Sequence, residues 1–357
     1  MDYPRSNKLK YMEIYNSIKS NIENGTLAPN EKLPTESELE EHFHVSRITV
    51  VKALNLLESN GYIERKQGSG SFIQEIRNNH LDMITLIMPY KVTGREMEYI
   101  ESIESTLKKN GYILNISISN GDYKKEMIIL ESILSRIKGV IIYPNRSDEN
   151  IEFFYSLFNR NIPVVYIDKY PLNIPCSHVI SDNYDGGYKI GTYMIEKGYA
   201  EFYVIMHDLL MFSTEMERYK GFIKAMWENK VDTEDVETVF VKPNIEDDRI
   251  DAIVADITKK AKSTANPIGI FICNDNLAHR IIKSFSLSKD KNCDNIIFAG
   301  FDDLEIESSF APDITIKQFY YEIGKHASEL LIQRINEGPF FNKGITVPVE
   351  LRVKEKL

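Results

Sequence analysis

Helical hydrophobic spacing recurs three times near the start of the chain. Apolar residues lie three or four positions apart over residues 9–24 and stop before a glycine, which predicts a first helix. A second helix is predicted to begin at Thr35, which forms a capping-box pattern with Glu38, and to end near Phe43. A third helix is predicted over residues 47–59 and is followed by a glycine that would end it. This stretch therefore predicts a small helical domain.

Two short strands are predicted directly after the third helix, over residues 62–65 and 71–73. The segment between them contains Gly68 and Gly70, which allow a tight turn and a close approach of the backbone to a phosphate or a minor groove. Helices followed by a glycine-tipped hairpin form the layout of a winged helix-turn-helix, a DNA-binding module. Taken alone, the same pattern is equally compatible with a small helical bundle that carries an ordinary hairpin.

The pattern changes after the polar segment 76–82, where apolar runs of strand length alternate with helical stretches. Buried strands that alternate with helices indicate βαβ units and parallel sheets, and a segment of this length suits two lobes. The predicted fold class is therefore α/β, with a winged helix over 1–75, a linker over 76–82 and a two-lobed domain over 83–357. The predicted strands are 83–88, 112–118, 139–143, 164–167, 202–206, 268–273 and 296–299, and the predicted helices are 97–110, 124–138, 184–197, 216–229 and 247–262.

Composition narrows the class of protein. Of the 357 residues, 43% are hydrophobic and 27% are charged, which is typical of a globular protein with a sizeable core. The three cysteines are far apart and lack CxxC spacing, so we expect no structural disulfide and a reducing, cytoplasmic location. The N-terminus has no apolar segment of the signal-peptide kind, and the chain has no apolar run long enough to span a bilayer. Secretion and membrane insertion are disfavoured.

Charge alone gives no support for a nucleic-acid partner. The formal net charge is −10, and residues 1–77 hold ten Lys or Arg and eleven Asp or Glu. Cations nevertheless gather in the predicted third helix and hairpin, at Arg47, Lys52, Arg65 and Lys66. The charge pattern is compatible with DNA binding without arguing for it.

Motifs for nucleotides and metals do not occur in this chain. Neither a Walker A sequence nor GxGxxG follows any predicted strand. His42, His44, His207 and His279 show no HxxxH or HExxH spacing. We therefore expect no cofactor and no metal ion.

The N-terminal segment resembles the winged helix of the GntR family. The resemblance implies that Ser46, Arg47 and Thr49 face the major groove or its phosphates, with Lys52 in support, and that the wing enters the minor groove. Ser37 and Val51 stand where the family often has arginine, which affects the operator sequence rather than the class. The matching motifs are LPTE (33–36), VSR (45–47), TVVKAL (49–54) and GSGSF (68–72), and the implied DNA-contact set is Thr35, Glu36, Ser46, Arg47, Thr49, Lys52, Lys66, Gln67, Gly68 and Gly70.

The remainder resembles the LacI-type effector domain, which is similar to periplasmic sugar-binding proteins of type I. A GntR-type winged helix joined to such a domain is similar to the arabinose-repressor subgroup. The motifs are PVVYIDK (163–169), SDNYDGGYKIGTYMIEKGY (181–199), ERYKGF (217–222), CNDNLA (273–278), GFDD (300–303) and DITIKQ (313–318). The resemblance implies an effector site at Asp168, Lys169, Arg218, Asn274, Asp302 and Gln318. Tyr90, just after the first predicted strand, is the predicted aromatic platform for the ligand.

Polar groups of this kind suit a polyol, because paired hydroxyls need carboxylate, amide and guanidinium partners. Lys169 stands where the family often has arginine, so a bidentate contact would become a point contact. Asp275 is predicted as a helix N-cap, and Asp182 and Asp185 as hinge or cap residues. Crossovers between the lobes are predicted near 181–184 and 311–317.

The leading hypothesis is a sugar-responsive repressor that binds double-stranded operator DNA as a homodimer and is released by a monosaccharide, with an arabinose-like pentose favoured. A regulator of the same architecture that senses another metabolite is the first alternative. A glycosidase that uses Asp168, Asp275 and Asp302 is another, and a binding module without DNA activity is a third. We predict that the protein is not an enzyme.

Overall fold

We describe the protein from a computed structural model. The structure describes residues 6–354 except 24, 60, 67, 75–81, 92–93, 135, 146–150, 161, 173, 209–212, 289–294, 305–307 and 338–341. The chain forms two compact units, Met1–Leu81 and Asp82–Leu357. Of the predicted linker, residues 76–81 lie outside the described residues.

The first unit has the predicted winged helix-turn-helix architecture. Strands β1 and β2 pair antiparallel with Ile63 opposite Ile73, and the strand ends differ from the predicted ones by one residue. Leu39, Leu54 and Leu57 pack with the paired isoleucines in one apolar core. The elements are α1 (Ser6–Glu23), α2 (Glu36–Phe43), α3 (Arg47–Ser59), β1 (Ile63–Lys66) and β2 (Gly70–Ile73).

The predicted capping box at the start of α2 is confirmed. The Thr35 hydroxyl accepts a hydrogen bond from the Glu38 amide at 3.3 Å, and Glu38 Oε2 accepts one from the Thr35 amide at 2.7 Å. Both contacts satisfy amides that have no partner within the helix. Thr35 therefore fixes the point at which the helix-turn-helix begins.

The first lobe of the second unit is a parallel sheet covered by helices. Among the described residues its strand order is β13-β7-β6-β5-β3-β4. The core lies between this sheet and its helices, of which α4 and α11 pack against each other. Its elements are β3 (Met83–Met88), α4 (Met97–Lys109), β4 (Ile113–Ile118), α5 (Tyr123–Ile133), β5 (Gly139–Ile142), α6 (Ile151–Asn159), β6 (Val164–Ile167), β7 (Ser177–Ser181), α11 (Tyr320–Glu337) and β13 (Gly344–Val347).

The second lobe repeats this architecture. Among the described residues its strand order is β14-β12-β11-β10-β8-β9, with β14 antiparallel to β12 at one edge. Its elements are α7 (Asn183–Glu196), β8 (Glu201–His207), α8 (Ser213–Glu228), β9 (Val236–Val241), α9 (Asp247–Ser263), β10 (Ile268–Ile272), α10 (Asp275–Leu287), β11 (Ile296–Ala299), β12 (Ile314–Lys317) and β14 (Glu350–Val353).

The chain passes between the lobes at short segments. One crossing follows β7 at residue 182, as predicted. The second lies at 318–319, directly after β12, so the predicted segment 311–317 is a strand of the second lobe rather than the crossing itself. A further crossing at 348–349 joins β13 to β14 and was not predicted. Within the described part of the chain, no helix is both long and apolar enough to cross a membrane.

Two glycines bring α7 and α8 unusually close together. A Cβ atom on Gly187 would lie 1.9 Å from the backbone oxygen of Arg218, and one on Gly221 would lie 1.9 Å from that of Tyr184. Neither contact can relax without moving backbone, so the two helices can pack this closely only with glycine at these positions. This packing fixes the backbone of Arg218, whose side chain lines a cavity of the second unit.

We predict that Gly187→Ala destabilises the second unit by about 3 kcal/mol or more, because the new methyl group overpacks a helix interface against backbone atoms. Urea unfolding followed by circular dichroism measures the change. Glu196→Ala, at an exposed position of the same helix, is the control and should change stability by less than about 0.5 kcal/mol. Equal midpoints for the two variants would contradict the packing argument.

Candidate functional site

The surface at the start of α3 carries two arginines that are held by one carboxylate. Arg47 donates from Nε to Glu36 Oε2 at 3.0 Å, and its side chain remains 74% exposed. Arg65, on β1, donates to Glu36 Oε1 at 2.5 Å and to Asn55 Oδ1 at 2.7 Å. Each guanidinium has five N–H donors, so both retain donors for phosphate or base edges. Glu36 thus positions two cations of this surface, and its own contact with DNA stays a prediction.

The other predicted DNA contacts differ in how the structure places them. Ser46 is exposed, whereas Thr49 is only 4% exposed and its hydroxyl is hydrogen-bonded to that of Ser46 at 3.0 Å. The predicted groove contact of Thr49 therefore needs correction: the residue lies inside the turn that starts α3. Lys52 is exposed, with its ammonium 5.0 Å from the centre of the Tyr11 ring.

The wing has the geometry that its glycines allow. Gly68 and Gly70 have φ values of +77° and +107°, in the left-handed region that favours glycine. A Cβ atom on Gly70 would also lie 2.7 Å from the Lys32 side chain. Lys66 pairs with Glu64 at 3.4 Å. Gln67 lies outside the described residues.

The carboxyl ends of both sheets of the second unit face one cavity of about 770 Å³. Parallel strands bring the residues that follow them to the same edge of a sheet, which is where ligands bind in such folds. A cavity of this size can hold a monosaccharide. All of the predicted effector residues line it: Tyr90, Asp168, Lys169, Arg218, Asn274, Asp302 and Gln318.

Arg218 is the centre of a buried hydrogen-bond network at the floor of the cavity. It donates to Asn183 Oδ1 at 2.9 Å, to the Cys273 carbonyl at 2.6 Å and to Asp302 Oδ1 at 3.3 Å. Its guanidinium also stacks 3.7 Å from the centre of the Phe301 ring. A guanidinium with this many fixed partners presents its remaining surface to a ligand in one orientation.

Gln318 links this network to the crossing segments between the lobes. Its amide donates to Asp302 Oδ1 at 2.7 Å, and its carbonyl accepts from the Ser181 hydroxyl at 2.5 Å. Both cleft aspartates have positive φ values, +66° at Asp168 and +118° at Asp302. Non-glycine residues adopt such backbone geometry at some energetic cost, and it is enriched at ligand sites.

Carboxylates within the cleft are electrostatically perturbed. Burial raises the pKa of Asp302 to about 8, in spite of Arg218, and the nearby Asp275, Asp168 and Glu96 carboxylates add to the rise. Burial and then Asp168 raise the pKa of Glu96 to about 7, against the opposing charge of Lys169. The cleft therefore contains carboxyl groups that hold protons near neutral pH.

The N-cap prediction for Asp275 was wrong. Asn274 is the N-cap of α10, since its side-chain oxygen accepts from the Leu277 amide at 2.9 Å. Asp275 is fully buried and accepts hydrogen bonds from the Leu304 amide and the Thr315 hydroxyl, both at 3.0 Å. It braces the Asp302 loop and does not line the cavity. Asp182, in contrast, does cap α7, as predicted.

Tyr90 lines the cavity from an exposed position. Its side chain is 65% exposed, and its ring lies against Gly121, where a Cβ atom would be 2.8 Å from the ring. Tyr143 and Tyr320 are further aromatic residues of the lining, and both are more buried than Tyr90. Whether Tyr90 is the aromatic platform for a sugar ring stays a prediction.

Sequence reasoning missed several residues of the cleft. Glu96 lies in the short 3-10 turn before α4, and His207 ends β8. Arg95 lines the cleft and forms an ion pair with Asp303 of the other lobe. The arginine was visible as a charge near a strand end, but its partner is 208 positions away and could not be deduced.

Comparison with known proteins agrees with both halves of this description. The model of the bacterial regulatory proteins of the gntR family matches residues 10–73, and that of the periplasmic binding protein domain matches residues 84–338. Arabinose metabolism transcriptional repressors of Geobacillus stearothermophilus and Halalkalibacterium halodurans are 28% and 29% identical to the chain. The alignments cover 92% of this chain in each case and 92% and 90% of the two relatives.

Solved structures share the fold of the second unit. A periplasmic binding protein/LacI transcriptional regulator from Alkaliphilus metalliredigens QYMF, complexed with D-xylulofuranose, aligns with a TM-score of 0.59 at 23% identity. The alignment covers 76% of this chain and 97% of that one. At 23% identity, this similarity is evidence for a shared fold.

A winged helix-turn-helix joined to a ligand-binding cleft defines a transcriptional regulator that senses a small molecule. The chain belongs to the periplasmic binding protein domain family and carries the GntR-type helix-turn-helix at its N-terminus. Its relatives are repressors and not enzymes, as the sequence analysis predicted.

The perturbed carboxyls predict that stability falls as pH rises. The folded state binds more protons than the unfolded state while Glu96 and Asp302 keep theirs, so their contribution is lost as pH rises through about 7 and about 8. We expect Glu96→Gln to flatten this decline in urea unfolding between pH 5 and pH 8, the range that spans the loss of the Glu96 proton from the folded state. Glu98→Gln, a half-exposed neighbour on α4, should leave the decline unchanged. An unaltered pH slope in Glu96→Gln would refute the assignment.

Proposed function

We propose that the protein is a repressor of carbohydrate-utilisation genes that arabinose, or a closely related neutral pentose, releases from its operator. The observation that carries the proposal is the convergence of the predicted polar residues on one cavity of monosaccharide size. The names of the two bacterial relatives support arabinose in particular. The protein would act in the cytoplasm.

The charges of the cleft favour a neutral ligand. Its cations already have fixed partners. Arg218 is held by three acceptors, and Lys169 faces Asp168, Arg95 faces Asp303 and Arg280 faces Asp247. A phosphate or carboxylate ligand would need cations that are not already matched, whereas hydroxyl groups can join existing ion pairs as both donors and acceptors. Lys91, the remaining Lys or Arg of the described lining, is exposed to solvent.

The position of the cavity supports a mechanism of release. A sugar between the lobes would contact Gln318 and Asp302 beside the crossing segments, and so favour one relative position of the lobes. We propose that the protein binds DNA as a homodimer on a palindromic operator and that the sugar alters the spacing of the two winged helices. Induction requires that the sugar bind the DNA-incompetent state more tightly, because only differential affinity shifts the equilibrium.

A thermal-shift series tests the effector class. Arabinose should stabilise the full-length protein by about 2.7 kcal/mol at a hundredfold excess over its dissociation constant, whereas its 5-phosphate should not. Asp302→Asn should weaken sugar binding at least tenfold, about 1.4 kcal/mol, because an amide replaces the carboxyl group that accepts from Arg218 and Gln318. Asp248→Asn, at an exposed position of α9, is the control. Stabilisation by a phosphorylated sugar or another metabolite alone would overturn the neutral-pentose proposal.

The winged helix supplies a separate prediction. Arg47→Ala and Arg65→Ala should each weaken binding to a duplex selected from a random-sequence library by about 1–3 kcal/mol, because each removes a guanidinium that Glu36 holds in place. Fluorescence anisotropy at fixed salt measures the loss. Arg160→Ala in the second unit, which removes a half-exposed arginine, should leave binding unchanged. Failure to select any duplex would favour a binding module without DNA activity.

A further inference from the structure

A cluster of metal-ligand side chains lies in the second lobe and borders the predicted effector site, although none of its three members belongs to the predicted effector set. His207 ends β8, Cys273 directly follows β10, and Glu215 lies in the first turn of α8. They are 7%, 2% and 4% exposed, respectively. One donor atom from each residue lies within 4.8 Å of the other two. Among the described residues, this is the group of His, Cys, Asp or Glu side chains that could hold a metal ion.

The spacing of the donor atoms is close to that around a tetrahedral zinc ion. Bonds of about 2.0–2.1 Å to nitrogen and about 2.3 Å to sulfur place two such ligands about 3.6 Å apart. His207 Nδ1 and Cys273 Sγ are 3.6 Å apart. His207 Nδ1 and Glu215 Oε1 are 2.9 Å apart, so the carboxylate would move outward by about 0.4 Å to reach the corresponding tetrahedral edge.

Surrounding hydrogen bonds orient these side chains in the way that supports a metal site. Glu215 Oε2 accepts from the His207 amide at 2.9 Å, which leaves Oε1 directed at the ring and the thiol. The Asn274 side-chain amide lies 3.4 Å from Cys273 Sγ and 3.5 Å from Glu215 Oε1, as a donor to both. Outer contacts of this kind fix the ligands and stabilise a thiolate.

Charge balance also favours a dication. Zn²⁺ bound by a carboxylate, a thiolate and a neutral imidazole is neutral overall, so the occupied site places no net charge in the interior. The sulfur, nitrogen and oxygen donors are those that zinc accepts, and the thiolate disfavours Mg²⁺ and Ca²⁺.

We infer that His207, Glu215 and Cys273 bind a Zn²⁺ ion and leave a fourth coordination position facing the effector cavity, which His207 and Asn274 line. The ion takes the place of the proton between His207 Nδ1 and Glu215. The neutral ring then carries its proton on Nε2, and the one proton released to solvent is that of the Cys273 thiol. Water or a ligand hydroxyl completes the tetrahedron. The sequence analysis expected no metal ion. These three ligands come from three separate elements, so no short sequence motif marks them.

Cobalt provides the test, because Co²⁺ occupies zinc sites and a cobalt–thiolate bond gives a charge-transfer band in the near ultraviolet. The experiment uses a full-length variant with the substitutions Cys176→Ser and Cys293→Ser, in which Cys273 is the remaining thiol. After treatment with a chelator, we expect titration with Co²⁺ to saturate at one equivalent per chain, with this band and the visible bands of tetrahedral cobalt. Zn²⁺ should displace both.

Further substitution identifies the ligands. Adding Cys273→Ser should abolish the charge-transfer band. His207→Ala or Glu215→Gln should lower the affinity for Zn²⁺ at least tenfold, as measured by competition with a chelator. Circular dichroism and thermal melting of each variant verify that it is folded. The inference is overturned if folded protein gives no saturable band, or if the band survives Cys273→Ser. Neither result bears on the sugar proposal, whose test uses no metal.

Discussion

The buried pair of Arg218 and Asp302 is the interaction on which the effector domain depends most. Arg218 reaches Asp302 because Gly187 and Gly221 let α7 and α8 approach to backbone contact. Asp302 in turn holds Gln318, which lies where the chain crosses between the lobes. Loss of Asp302 would leave the buried guanidinium of Arg218 without one of its acceptors, at a typical cost of about 1–3 kcal/mol. Helix packing, lobe crossing and ligand recognition therefore share one polar network.

The DNA-binding unit has a similar arrangement on its surface, in which one carboxyl group holds two other side chains. Glu36 holds Arg47 and Arg65 from two different elements, as Asp302 holds Arg218 and Gln318 in the cleft. Held side chains lose less conformational freedom on binding than free ones, so a carboxylate neighbour can improve recognition by a cation. This explains how a segment with no excess of positive charge can bind DNA.

Much of this structure could be predicted, and the failures have physical reasons. Residues at strand ends were found because parallel sheets gather them, and Asp168, Asn274 and Asp302 all line the cavity. The burial of polar side chains was harder to predict. The Thr49 hydroxyl is hydrogen-bonded within its own turn, and Asp275 accepts a hydrogen bond from Thr315. Elements such as β9, β13 and β14 at sheet edges, with few buried residues, lacked a clear apolar run. Glu96 had no sequence signal because its charged neighbours Asp168 and Lys169 are distant along the chain.

The central claim is that the cleft and the winged helix are coupled through one ligand. Its most direct test is fluorescence anisotropy of the protein on a selected operator duplex during titration with arabinose, with sugar binding measured in parallel by calorimetry. Our account predicts that the complex dissociates over the concentration range in which the sugar binds, and that Asp302→Asn shifts both curves together to higher concentration. A sugar that binds with measurable heat and leaves the complex with DNA intact would contradict it.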